Sequence, residues 1–170
     1  MTERRFQPEE ILGSLSRHEV RFVVIGGLAA ALHGSPVVTS DADICPARDA
    51  TNLEKLAAAL RDLDARVRTQ IVPDGLRFDC SAAFLSRIEV ALNLTTRFGD
   101  LDISFRPSGS EGFEELERKA GVMSLHDRPI HVAALEDVIR SKEAANRPKD
   151  QMALPTLRLL LRRLREKSGG

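Results

Sequence analysis

The chain has no tryptophan, no tyrosine and only seven phenylalanines in 170 residues. So few rings argue against a surface that binds single-stranded nucleic acid by stacking successive bases. Cysteine is nearly absent as well. Cys45 and Cys80 lie far apart, with no further Cys or nearby His at metal-ligand spacing, which excludes a disulfide framework and a zinc site of the usual spacing. Both are expected as free, buried thiols. The longest apolar runs, around Phe22–Ile25 and Leu157–Leu161, fall far short of the ~20 residues of a membrane span. The N-terminal Met-Thr-Glu-Arg-Arg-Phe-Gln-Pro lacks the apolar core of a secretory signal, so a cytoplasmic location without a membrane partner is expected. An excess of one charge is missing too, with 25 basic and 25 acidic residues. That balance excludes a uniformly basic nucleic-acid coat and an acidic tail protein.

What is present is ordinary globular composition, 42% hydrophobic and 29% charged, and it predicts one domain over residues 1–170. Pro8, Glu9 and Glu10 open a short helix ending near Arg17. Arg21–Ile25 reads as a buried strand running into Gly26-Gly27, and the Ala-rich Leu28–His33 as a helix stopped by Gly34 and Pro36. A strand over Ala42–Pro46 precedes a helix over Asp49–Leu63, whose Leu53, Leu56, Ala57, Leu60 and Leu63 form one stripe, with Asp49 or Thr51 as N-cap. Ala65–Thr69 alternates like a half-exposed strand, followed by a Pro73-Asp74-Gly75 turn. Glu89–Thr95 and Leu101–Phe105 form two strands of a hairpin through Arg97-Phe98-Gly99-Asp100. Gly112–Ala120 is a short helix and Ile130–Val132 a short strand. Ala134–Lys167 is helical, broken at Pro148 and again near Pro155 into two or three helices. The result is an α/β core over about residues 20–132 with a helical C-terminal portion over about 133–167.

One segment carries chemistry. Val24-Ile25-Gly26-Gly27 is followed, after thirteen intervening residues, by Asp41-Ala42-Asp43-Ile44. Side chains alternate on a strand, so Asp41 and Asp43 project from one face. Two like charges held together on a core strand are costly unless a cation lies between them. An all-oxygen set that leaves room for water and phosphate oxygens suits Mg²⁺ better than Zn²⁺. Leu101-Asp102-Ile103 adds a third acid, on the face opposite its two apolar neighbours. Three acids from two strands can hold two ions for in-line phosphoryl or nucleotidyl displacement. Gly26 and Gly27, at a strand-to-helix junction, let backbone N–H groups approach a triphosphate closely.

The order strand, Gly-Gly, short helix, Asp-x-Asp and a later single Asp resembles the nucleotidyltransferase superfamily of the polymerase-beta type. More narrowly, Gly26-Gly27-Leu28-Ala29, His33-Gly34, Thr39, Asp41, Asp43 and Arg97-Phe98-Gly99-Asp100-Leu101-Asp102 resemble the minimal bacterial enzymes of the AbiEii/MenT toxin group. So does Lys142-Glu143-Ala144-Ala145, with Lys149-Asp150 beyond it. The resemblance spans about residues 20–160. It implies the α/β (α+β) nucleotidyltransferase fold, a mixed, mostly antiparallel sheet flanked by helices. It also implies an enzyme that moves a nucleoside monophosphate from an NTP to an acceptor hydroxyl, releasing pyrophosphate.

On that resemblance Asp41, Asp43 and Asp102 are the metal ligands, for two Mg²⁺ ions, and Asp102 is also the base for the acceptor hydroxyl. Lys142 meets the triphosphate, and Gly26, Gly27, Thr39 and Asp150 complete the nucleotide site. The biological setting it implies is the toxin of a toxin–antitoxin pair acting on RNA such as the tRNA 3′ end, with a cognate antitoxin as partner. Antibiotic or protein hydroxyls are alternative acceptors. Leu28, where many superfamily members carry Ser, and Val37, where many carry Arg, favour a different class of function, a catalytically silent binding or antitoxin module. His33 is read either as a substrate-orienting group or as a helix-terminal one.

The neutral total conceals a separation. Residues 140–170 carry nine basic and three acidic side chains. Arg158, Arg162, Arg163, Arg165 and Lys167 surround a leucine stripe there, giving either a solvated face or a contact for an RNA backbone.

Overall fold

In the computed structural model, which describes residues 4–169, helices and strands are interspersed along the chain. They are α1 (Pro8–Arg17), β1 (Phe22–Ile25), α2 (Gly26–Leu32), β2 (Asp41–Pro46), α3 (Ala50–Asp62), β3 (Arg66–Val67), α4 (Ala82–Ser86), β4 (Ala91–Thr96) and β5 (Gly99–Ser104). Then follow α5 (Phe113–Lys119), β6 (Gly121–Leu125), β7 (Arg128–Val132), α6 (Leu135–Ala145) and α7 (Pro148–Ser168). The strands form one seven-stranded sheet in the order β3-β4-β5-β2-β1-β7-β6. Only the β1–β7 and β2–β5 pairs are parallel, so the sheet is mixed and mostly antiparallel.

Alternation along the central strands separates core from site. In β2 and β5, Ala42, Ile44, Leu101 and Ile103 are fully buried. The residues between them, Asp41, Asp43, Asp100 and Asp102, point to the other face and keep partial access to solvent. The apolar face packs with Ile11 and Leu15 of α1 and Leu53, Leu56 and Leu60 of α3 in one core. Each fully buried Leu or Ile side chain contributes about 1.5–3 kcal/mol by leaving water. The Asp49 side chain caps α3 by accepting from the Asn52 N–H, and the buried Asn52 side chain in turn ties α3 to the backbone of Arg21 and Ala47. On the other side α2 packs on β1, β2 and α6, and α6 packs on α7.

Several local expectations change. The hairpin turn is only Arg97-Phe98, because Thr96 already pairs with Gly99. Gly99 is required there: its φ is +112°, and a Cβ would press to 2.9 Å from Phe6. The strand expected over Ala65–Thr69 shrinks to β3, on the sheet edge. Helix α4 and strand β6 were not expected; each is short, and β6 exists by pairing with β7 rather than through its own alternation. Pro155 does not break the last helix. Its ring lies on the exposed face, where water can serve the Gln151 carbonyl that loses its helical donor, while Leu154 and Leu157 on either side are buried. The C-terminal portion is therefore two helices. Cys45 is buried as expected, but Cys80 is half-exposed, its thiol donating to the Ala57 carbonyl at 3.5 Å. No helix among the described residues is long and apolar enough to cross a membrane.

Candidate active site

The parallel pairing of β2 with β5 sets Asp41 opposite Asp100 and Asp43 opposite Asp102. Side chains opposite one another in register share a face, so four carboxylates crowd one end of the strand pair. Three converge: one oxygen each of Asp41, Asp43 and Asp102 lies within 4.8 Å of the other two. The crowding appears in the acidity of Asp43 and Asp102. Burial, then the charges of Asp41 and Asp102, push Asp43 up to about 7, against relief from Lys142 and Lys149. Burial and a hydrogen bond shared with Asp41 raise Asp102 to about 6, with Arg68 opposing. Three oxygen donors that repel one another at neutral pH form the donor set a hard divalent cation relieves, so these residues fit the expected metal.

The triad lies in a cleft of about 660 Å³, which Gly26, Gly27, Thr39 and Lys142 also line. Gly26 turns the chain from β1 into α2 at φ +62°, and a Cβ on it would come within 2.5 Å of the Asp43 Oδ2. Only glycine leaves both the turn and the carboxylate in place. A Cβ on Gly27 would sit 3.1 Å from Thr39 Oγ1. The Thr39 hydroxyl donates to the Asp41 carbonyl at 3.1 Å, fixing the entry to β2.

Asp150 does not reach the cleft. It is fully buried at the start of α7, accepting from the Arg147 N–H at 3.1 Å and its Nε at 2.7 Å, with Lys142 Nζ 3.5 Å away. Burial alone would raise its pKa, but the Arg147 hydrogen bonds and the Lys142 charge hold the carboxyl below its usual range. Asp150 thus braces Lys142 and Arg147, both of which line the cleft. His33 caps the end of α2, with Nε2 2.8 Å from the Ala133 carbonyl, so it is engaged locally. On the basic C-terminal helix, Arg158 pairs with Glu143 and Arg165 with Glu136, which takes up two of its arginines.

Sequence reasoning missed Arg68. Its Nη2 lies 2.6 Å from Asp102 Oδ1 and its Nη1 3.2 Å from Asp100 Oδ2. Alternation over Ala65–Thr69 puts Arg66 and Arg68 on one face, but nothing local shows that β3 lies beside β4 and hence near β5. Arg106 and Arg147 were also not singled out for the cleft, whereas Lys149, named beside Lys142 in the sequence, does line it. Apart from the three acids, every charged side chain lining it is basic: Arg106, Lys142, Arg147 and Lys149.

No protein-family profile matches the chain, and no curated protein matches its sequence. Solved structures do match its fold. The crystal structure of the lincosamide antibiotic adenylyltransferase LnuA with bound lincomycin aligns at a TM-score of 0.60 and 16% identity, over 93% of this chain and 99% of that one. That of ANT(2″)-Ia in complex with adenylyl-2″-tobramycin aligns at 0.58 and 15%, over 92% and 87%. The chain has the nucleotidyltransferase fold.

Proposed function

We propose that this protein is a Mg²⁺-dependent nucleotidyltransferase that transfers a nucleoside monophosphate from an NTP to an acceptor hydroxyl. The observation that carries this is the convergence of Asp41, Asp43 and Asp102 in a cleft whose remaining charged groups are all cations. Asp41, Asp43 and Asp102 hold the metal, which when bound neutralises charge on the phosphate oxygens. Lys142, held by Asp150, meets the triphosphate, and Gly26, Gly27 and Thr39 leave space for it beside the triad. The acceptor oxygen attacks the α-phosphorus, its proton passes to Asp102, the bond from the α-phosphorus to the bridging oxygen breaks, and pyrophosphate leaves.

The acceptor is RNA, such as the tRNA 3′ end, and the protein is the toxin of an AbiEii/MenT-like toxin–antitoxin pair. The lining favours this reading: the side chains of Arg106 and Lys149 have no ion-pair or hydrogen-bond partner among the described residues, which leaves two cations beside the triad to meet backbone phosphates. A second reading, an antibiotic acceptor, is favoured by the two solved neighbours, which carry lincomycin and an adenylylated tobramycin. A polycationic aminoglycoside suits these walls poorly; an uncharged or singly charged drug does not meet that objection. Incubation with each α-labelled NTP and Mg²⁺, offering total RNA, lincomycin or tobramycin in separate reactions, separates the two. Label on RNA supports the first reading and label on a drug the second. Label on nothing, with metal and nucleotide still bound, would leave a silent binding module.

A further inference from the structure

Arg68 has two carboxylate partners in a half-buried setting, unlike Arg158 and Arg165 on α7, which each pair with one. It directly follows β3, and its N–H donates to the Asn93 carbonyl at 3.0 Å, continuing the β3–β4 ladder. Asn93 is the β4 residue opposite Asp102. The guanidinium therefore starts from a fixed point one strand away from β5. A contact from Nη1 to the Leu94 carbonyl at 3.3 Å steadies it further. From there one prong takes Oδ1 of Asp102 and the other takes Oδ2 of Asp100, the fork geometry an arginine provides and a lysine does not. Its side chain keeps 32% of its exposure and that of Asp102 only 21%, so solvent screens the pair incompletely.

The charges on this face give the pair its meaning. Asp41, Asp43, Asp100 and Asp102 occupy two adjacent register rows of β2 and β5, and without metal such a group needs cations of the protein's own. Lys142 is committed to Asp150 at 3.5 Å, and Arg147 to the same carboxylate. Arg68 is the one cation within ion-pair distance of a triad member among the described residues. It engages one oxygen of Asp102 from outside the triad.

Resting on the reading of the triad as a metal site, we propose that Arg68 is a positioning residue that acts as the resident counter-cation of Asp102. In the metal-free protein it neutralises and orients the third carboxylate. When a divalent ion is held, Asp102 is shared between the ion and Arg68, so Arg68 weakens metal binding in the absence of nucleotide. A guanidinium held beside the metal's own ligand opposes a second positive charge, whereas one that merely braced the fold would leave metal affinity unchanged.

The test is direct binding of Mn²⁺ to the full chain without nucleotide, at pH 8 and low salt. Arg68→Gln is expected to bind Mn²⁺ about tenfold more tightly than wild type, and the gain to shrink at high salt as the charge is screened. In EDTA the same variant is expected to melt about 5 °C lower, having lost the neutralising partner. Arg68→Lys keeps the charge and is expected to stay within about threefold of the wild-type Mn²⁺ affinity, which separates a charge effect from a packing one if the Gln variant folds poorly. Weaker or unchanged Mn²⁺ binding in Arg68→Gln would overturn the proposal while leaving the metal site standing. Absence of Mn²⁺ binding by the wild-type chain would overturn both.

Discussion

Crowding at the triad predicts that Asp43→Asn stabilises the metal-free protein at neutral and higher pH. The carboxyl titrates near 3.8 when free and is pushed to about 7 in the fold. The folded state thus binds the extra proton between those values, and stability falls as pH rises through that window. Each pKa unit is worth about 1.4 kcal/mol, so the full shift sets a ceiling of about 4 kcal/mol above pH 7. Relaxation of side chains and counter-ions reduces it, and about 2 kcal/mol is expected, a gain in Tm of about 6 °C for a chain of this length. Asparagine keeps the shape of the side chain and removes the charge. The assay is urea unfolding in EDTA at pH 8, 6 and 4. The variant's advantage should be largest at pH 8 and vanish near pH 4, where wild-type Asp43 is protonated in the fold. Saturating Mg²⁺ should reverse the order, raising the wild-type unfolding free energy by about 2.7 kcal/mol at a hundredfold excess over Kd and the variant's much less. Asp43→Asn no more stable than wild type at pH 8, or an advantage that persists at pH 4, would refute the crowding argument.

Two further outcomes are expected. Gly26→Ala places a methyl 2.5 Å from Asp43 Oδ2 at a φ of +62°, so it should cost about 2 kcal/mol in urea unfolding and displace the carboxylate. Mn²⁺ affinity should fall with it; normal affinity would mean that Asp43 is not a ligand. Asp150→Asn breaks a buried pairing with Lys142 and Arg147 and should cost about 3 kcal/mol near pH 7. Because the Asp150 pKa is lowered by folding, that contribution exists above the ordinary carboxylate range and disappears as pH falls through the folded value. A loss of stability that is independent of pH would point to packing instead.

Much of the molecule was legible in one dimension because the relevant physics is local. Periodicity of two in Leu101-Asp102-Ile103 already assigns the acid and its neighbours to opposite faces, and periodicity of 3.6 assigns the α3 stripe to the core. The Gly-Gly before a helix and the Asp-x-Asp on a strand are backbone and side-chain requirements within a few residues. Elements that owe their existence to a partner were not legible. β6 forms because β7 lies beside it, β3 is cut short at an edge, and α7 survives Pro155 because the ring happens to face water.

Residue type and spacing on their own determined which acids share a strand face and which glycines sit at the strand-to-helix junction, since neighbouring residues settle both. Tertiary structure alone decided that β2 and β5 lie parallel in a register that sets Asp43 opposite Asp102. It also decided that Arg68 reaches Asp102 across β4, and that Asp150 lies behind Lys142 rather than in the cleft. Those are distances between residues 34 to 59 positions apart or brought together by helix packing. Such distances depend on how the sheet orders its strands, which no short stretch of sequence encodes.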